Sequence, residues 1–417
     1  MTLEFRIEPT ATVAAAEERA RRPVVTVAVC ALVVELVLAA TTYGTNDITS
    51  WRDFARAVSL VGPVQVYGYQ FTNDLYNHPP LVGFFLVAVN GLSRLGLQLN
   101  FTLRAISSIC ETASALLLFD LLRTRHSLQS ARRAGVLVAA SPVLVMVSGF
   151  HGNTDPIFIM FMIAALWLLA DKDRPCLAGA MLAAGMSTKI VAAVILPILV
   201  VWAWKQGRRR FVCFTSGCLG LLLLIWTPAI VTEWSPLLHN VVGYGGVSAR
   251  PWGLPQFAAW AGLPRAAAWL AGGGRALIVL ACSLLPAFAV HRKPEVVAEA
   301  VALSVAGFLL LSPAFGVQYL LWPVALAYAL DFRAATIYNI LASVLAVGLY
   351  MQWSGGVVLN NAESAPLTEG ERLFASLVWA ALFVVVARGV SIVTSGREER
   401  GAAVFDNVLS GRGVSSG

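Results

Sequence analysis

Apolar residues gather in this chain into long unbroken stretches separated by short polar or basic segments, with little of the strict alternation that marks a half-buried strand. Thirteen such stretches can be marked, at 24–41, 81–98, 104–123, 134–150, 156–171, 175–188, 190–204, 211–231, 276–291, 298–312, 318–331, 334–351 and 372–391. A helix needs ~20 apolar residues to span a bilayer. The pattern therefore predicts an all-α polytopic membrane protein.

Charge decides how the stretches are threaded. If all thirteen crossed, with Arg21 and Arg22 in the cytoplasm, the basic loops 123–133 and 205–210 would lie outside, against the positive-inside rule. Laying 81–98 in the interface as a juxtamembrane helix shifts every later segment by one crossing. The loops 123–133, 171–174, 205–210, 291–293 and 331–333 then fall inside together with the tail. This predicts twelve crossings with both termini cytoplasmic. The outside segments become 42–80, 151–155, 187–189, 232–275, 312–317 and 352–371. A single transmembrane domain, 24–392, is expected between a cytoplasmic segment 1–23 and a disordered tail 393–417, with long outside loops at 42–80 and 232–275.

Composition agrees with lipid as the solvent. Of 417 residues 58% are hydrophobic and 13% charged, against ~25% charged in a soluble domain, and the mean hydropathy is +0.73. The net charge of +7 is spread over short interhelical clusters, which excludes a nucleic-acid footprint. Six cysteines without CxxC spacing indicate neither a disulfide framework nor a zinc site. The apolar run from Val24 lacks a small-residue cleavage site and is expected to be a retained anchor. No repeat of transporter type is visible.

Residues able to do chemistry collect on the outside in this topology. Asp47 follows the first apolar run by a few positions, at a depth suited to a general base acting on a lipid-linked substrate, or it simply starts a helix carrying Arg52 and Asp53. His78 precedes Pro79 and Pro80, which restricts its backbone and aims its ring; a loop histidine bonded to backbone is the plainer alternative. His151, Asn153 and Asp155 crowd into five residues, able to bind sugar hydroxyls or a metal, or to cap the next helix. Lys189, a positive charge on the disfavoured side, fits a phosphate or a snorkelling helix end. Arg250, Gln318, Tyr319 and Trp322 add a guanidinium, an amide and aromatic faces, although aromatics there also suit an interface belt. Within the apolar runs, Glu35, Glu111 and Asp120 are scattered without basic partners at helical spacing.

Several of these pieces occur in a recognisable order: an acid in the first outside loop, then Tyr76-Asn77-His78-Pro79-Pro80-Leu81, then His151-Gly152-Asn153-Thr154-Asp155-Pro156, then Ser187-Thr188-Lys189, then Gln318-Tyr319-Leu320-Leu321-Trp322-Pro323. In this the chain resembles integral-membrane glycosyltransferases of the GT-C superfamily, in particular polyprenol-phosphate-mannose-dependent α-mannosyltransferases and the catalytic subunit of GPI mannosyltransferase I. The resemblance covers about residues 24–325. It implies a GT-C-like fold, a polyprenyl-phosphate-linked sugar as donor, most simply mannose, and a lipid-linked or glycan acceptor at the outer face of a bacterial cytoplasmic membrane. It implies no cofactor. Many members carry Asp-x-Asp in the first loop; here Thr45 replaces the first acid, which weakens any case for a metal and leaves the base role to Asp47. By the same resemblance Lys189 and Arg250 hold the donor phosphate, while Tyr76, His78, His151, Asn153, Asp155, Gln318 and Tyr319 orient sugar or acceptor. A β-linked donor would give an α-linked product by one inverting displacement. A transporter or flippase of lipid-linked sugars is the alternative, and it would place its polar groups near the bilayer midplane.

Overall fold

The computed structural model describes residues 11–72, 74–244, 252–313, 315–356 and 361–395. In chain order its helices are α1 (Ala11–Thr41), α2 (Asp47–Val61), α3 (Pro80–Arg94), α4 (Leu99–Leu122), α5 (Leu128–His151), α6 (Asp155–Ala170), α7 (Pro175–Thr188), α8 (Ile190–Lys205), α9 (Arg208–Val242), α10 (Gly253–Trp260), α11 (Pro264–Ala271), α12 (Gly274–Arg292), α13 (Pro294–Leu311), α14 (Val317–Ala327), α15 (Phe332–Trp353) and α16 (Glu369–Ser395). The protein is an all-α polytopic membrane protein. Among the described residues the isolated β-bridge is a parallel one between Thr45 and Ala362.

Each of the thirteen apolar stretches is helical. Eight helices, α1, α4, α5, α9, α12, α13, α15 and α16, are long and apolar enough to cross a membrane, and α3, α6, α7, α8 and α14 are shorter apolar helices. Their starts follow local chemistry. Proline occupies the first turn of α3, α6 and α7, where its missing N–H would have had no partner. Ser127 caps α5 by accepting from the Ser130 N–H, and Asp331 caps α15 by accepting from that of Ala334.

Several boundaries differ from the sequence expectation: α1 begins at Ala11, well before 24, and the second long loop holds α10 and α11. The interfacial helix expected at 81–98 stops at Arg94. The first long loop contains a further helix, α2, whose apolar face buries Ile48, Trp51, Phe54, Ala55 and Val58. The stretch 211–231 continues as helix to Val242 across a kink at Glu233, whose backbone leaves the helical region (φ −131°, ψ 35°).

α1 and α4 pack antiparallel. At one end Arg123 pairs with Glu17 (2.6 Å) and Asp120 (3.2 Å). At the other, the fully buried Arg104 donates to the carbonyls of Ala39 (2.8 Å), Thr42 (2.9 Å), Asn100 (2.9 Å) and Phe150 (3.3 Å) and to the Thr42 hydroxyl (2.9 Å). Between those ends Glu35 of α1 meets Glu111 of α4, side chain to side chain. These two carboxyls, scattered in the sequence, are therefore neighbours in space. α7 and α9 cross at glycines: a Cβ on Gly179 would come within 2.0 Å of the Phe214 carbonyl oxygen, and one on Gly217 within 2.0 Å of that of Cys176. Small residues let backbones touch where lipid supplies no hydrophobic driving force between helices.

The bundle has two chemically different ends. One carries the ion pairs Arg125–Asp171, Arg210–Asp173 and Arg388–Asp331. The other gathers the segments 42–46, 151–155, 187–190 and 361–363, and it holds the residues of interest.

Candidate active site

The site is framed by a break between α5 and α6. The last turn of α5, Met146–His151, widens into a π-helix, a local underwinding that appears frequently at functional sites. Gly152 then turns the chain with φ +82°, a left-handed conformation that costs glycine little. A Cβ there would also strike the Ile48 side chain at 2.3 Å, so the start of α2, with Asp47, lies directly on this turn. Thr45 fixes the contact by donating to the His151 carbonyl at 3.0 Å, and Ala362 brackets it from the other side by accepting from the Asn46 N–H at 3.0 Å.

Asp47 opens α2 and remains partly accessible, with its side chain 38% exposed. Its Oδ2 lies 2.9 Å from His151 Nε2, and His151 Nδ1 lies 3.0 Å from the Tyr350 hydroxyl of α15. His151 and Tyr350 are both buried. An ionised carboxylate only accepts, so a neutral His151 must carry its proton on Nε2 and take a hydrogen bond from Tyr350 on Nδ1. Such a chain holds the carboxylate in one orientation while its side chain stays partly exposed.

A second cluster is centred on Lys189, which sits in extended backbone between α7 and the tight turns that begin α8. Its ammonium is paired with Asp155. The Tyr319, Trp322 and Phe158 rings surround it at 4.8, 5.2 and 5.8 Å. Asp155 is fully buried; its other oxygen accepts from Trp322 Nε1 at 2.9 Å, and its N–H donates to Asn153 Oδ1 at 3.1 Å. Both Asp155 oxygens are thus engaged by protein, and Asn153 uses its carbonyl as a cap. Lys189 remains partly exposed, with its side chain at 19%.

His78 forms a third wall. Its ring stacks on Trp51 at 4.5 Å, its carbonyl accepts from the Tyr67 hydroxyl at 2.7 Å, and the buried Tyr76 meets it edge-on at 5.7 Å. Burial pushes the His78 imidazole down to about 3, the Lys189 ammonium acts in the same direction, and the Asp47 carboxylate opposes both. His78 is therefore neutral at physiological pH.

The fold thus brings together Asp47, His78, His151, Asp155, Lys189 and Tyr319, which are spread over 273 positions of the sequence (47 to 319). Gln318 lies on the same turn as Tyr319, Val317–Leu320. Asp53 points away as an exposed residue of α2, and Arg250 lies outside the described residues. Among the described residues, no group of three His, Cys, Asp or Glu side chains gathers in a way that could hold a metal ion. Two contributors carry no sequence signal. Tyr350 ends an apolar run like any interfacial aromatic, and Arg104 stands at the border of one.

Comparison with known proteins adds family information. Residues 77–234 match the family described as dolichyl-phosphate-mannose-protein mannosyltransferase, a span that includes His78, His151, Asp155 and Lys189. The chain is 31% identical over 199 residues to the undecaprenyl phosphate-alpha-4-amino-4-deoxy-L-arabinose arabinosyl transferase of Edwardsiella ictaluri (strain 93-146), covering 45% of this chain and 35% of that protein. It is 26% identical over 151 residues to arabinosyl transferase 1 of the same description from Pseudomonas fluorescens (strain Pf0-1), covering 34% of this chain and 26% of that one. The chain spans between about a quarter and about a third of the length of these curated relatives. The resemblance to GT-C superfamily glycosyltransferases drawn from the motifs is borne out.

Proposed function

We propose that the protein transfers a sugar from a polyprenyl-phosphate donor to a lipid-linked or glycan acceptor, with Asp47 as general base. The observation that carries this reading is the Asp47–His151–Tyr350 chain beside a caged lysine at one end of an apolar bundle. The family description and the relatives' names support it, since both concern lipid-phosphate-linked sugars. In this reading the site lies outside the cytoplasm, with twelve crossings and α3 in the interface, and the distribution of basic loops supports it.

In this reading the acceptor hydroxyl hydrogen-bonds to the partly exposed Asp47 carboxylate and attacks the anomeric carbon from the face opposite the phosphate. The C–O bond to phosphate breaks as the new glycosidic bond forms, the proton passes to Asp47, and configuration inverts. A lipid phosphate leaves readily, so the protein needs to neutralise the departing charge rather than protonate it. Lys189 supplies that charge, with Arg250 as a second candidate. Asp155 and Trp322 hold the ammonium in place, the neutral His78 and the Tyr319 ring border the sugar, and Tyr76 and Gln318 shape the surrounding wall. Mannose is the sugar we assign from the motif resemblance; the relatives are named for aminoarabinose.

The test is release of polyprenyl phosphate and transfer of labelled sugar by purified protein in nanodiscs, with mannosyl and aminoarabinosyl donors in parallel. Asp47→Asn keeps the shape but not the basicity and is expected to lose on the order of 10²–10⁴ in turnover, while Asp53→Asn stays active. Parental turnover in Asp47→Asn would remove the base from this carboxylate, and consumption of the aminoarabinosyl donor alone would replace the mannose assignment.

A further inference from the structure

Away from the Asp47 cluster, α2, α3 and the connection between α3 and α4 line a shallow, open groove of about 420 Å³. Its polar lining comes from Arg52, Arg56, Asn90, Ser93 and Gln98, with Leu97 on its edge and no carboxylate among the lining residues. The walls are fixed by hydrogen bonds. Asn90 of α3 donates at 2.8 Å both to the Ala55 carbonyl and to the Ser59 hydroxyl of α2. Arg52 is held in place by the Asn100 carbonyl oxygen of the side chain (3.1 Å) and the Tyr43 hydroxyl (3.0 Å), and its guanidinium lies 5.0 Å from the centre of the Tyr43 ring. Those contacts engage Nε and one terminal nitrogen of a group with five N–H donors. Arg56, one turn further along α2, is exposed in the same groove.

The surroundings name the occupant. Leu95 is 81% exposed and Leu97 43%, and Phe84 and Val87 of α3 are also exposed. An apolar rim beside a pair of arginines is the arrangement of a surface lying at the level of lipid headgroups, with side chains reaching acyl chains and cations meeting phosphate. The guanidinium fork matches phosphate oxygens two at a time. The volume falls in the range that accommodates a small molecule or headgroup. We propose that this groove binds the anionic, phosphate-bearing headgroup of a membrane lipid, at a position separate from the sugar-transfer site and independent of what that site does.

The experiment is native mass spectrometry of the full chain in detergent, titrated with phosphatidylglycerol, with phosphatidylcholine and with inorganic phosphate alone. The parent is expected to prefer phosphatidylglycerol. Each unit of charge near a lipid surface is worth about fivefold in affinity, so Arg56→Gln should weaken the tightest phosphatidylglycerol event about fivefold and Arg56→Glu on the order of 30-fold. Neither variant touches the Asn100 and Tyr43 contacts, and Gln preserves the fold if Glu does not. Equal affinity of parent and Arg56→Gln for phosphatidylglycerol overturns the proposal. So does a parent that binds phosphatidylcholine as tightly, or inorganic phosphate that displaces the lipid at equal concentration, which would make the groove a site for the free anion. Lipid counts do not depend on sugar transfer, so failure here leaves the enzyme reading intact, and an inactive enzyme leaves this one intact.

Discussion

Replacing Tyr350 by Phe removes one oxygen, 3.0 Å from His151 Nδ1, from a place with no access to solvent. Phenylalanine fills nearly the same volume, so the packing against Phe150 (5.6 Å between ring centres) and Trp353 (6.1 Å) persists. What changes is the histidine. Its Nδ1 becomes a buried acceptor without a partner, at a cost of ~1–3 kcal/mol. Moving the proton to Nδ1 recovers nothing, since it leaves an unpaired N–H there and turns an Nε2 lone pair toward the Asp47 carboxylate. Either route loosens Asp47. If the whole cost appears in the transition state, turnover falls by a factor of about 5–150. The assay is polyprenyl phosphate release over a donor titration, in which kcat should fall while the KM for donor stays at the parental value, because the Lys189–Asp155 pair assigned to the donor phosphate keeps its contacts. A double-mutant cycle sharpens it: in an Asp47→Asn background the Tyr350→Phe change should have little further effect. Parental kcat in Tyr350→Phe, or a full additional loss on top of Asp47→Asn, would refute the orienting chain.

Lys189→Ala should impair donor use by ~2–4 kcal/mol, a contact with a departing phosphate in a partly desolvated site, and Lys189→Arg should keep part of the activity; unchanged kinetics in the alanine variant would return Lys189 to a helix-end role. His78, held near 3 in the folded protein against 6.5 in the unfolded chain, binds fewer protons folded than unfolded in that window. Stability from this group is therefore complete above pH 6.5 and declines as pH falls toward 3, so His78→Asn should flatten the acid limb of a thermal-unfolding profile, and an unaltered acid limb would contradict the burial argument. For the threading of the chain, a cysteine placed at Leu128 on a cysteine-free background should resist an impermeant maleimide applied from outside, and labelling there would invert the topology together with the side on which Asp47 lies.

Helix positions were readable because lipid leaves the backbone one way to satisfy its hydrogen bonds, so an apolar run is a helix almost regardless of its neighbours. Short runs such as 175–188 and 318–331 were as legible as long ones. α2 was harder, since its apolar face is mixed with Arg52, Asp53 and Arg56, and only the helix-start reading of Asp47 hinted at it. Candidate residues were visible where several polar groups fell close together in sequence, as with His151, Asn153 and Asp155. Their partners were not. Whether Asp155 faces a sugar or holds Lys189 depends on a contact 34 positions away, and the Tyr350 contact to His151 spans 199. Glu35 and Glu111 looked isolated for the same reason: helical spacing describes one helix, and their meeting is a property of the α1–α4 interface.

Arg104 also sets an order of events during synthesis. The carbonyls of Ala39 and Thr42 that it satisfies leave the ribosome 65 and 62 residues ahead of it, an interval of about 3–13 s at ~5–20 residues per second. An unaccompanied arginine in a spanning helix resists insertion by up to ~2.5–3.5 kcal/mol. α4 therefore enters the bilayer most readily while α1 is still beside the insertion machinery, with the two helices integrating as a pair. The segment carrying Asp47 is tethered between them throughout, so the first loop is assembled against its guanidinium clamp before any of the helices that later complete the site have been made.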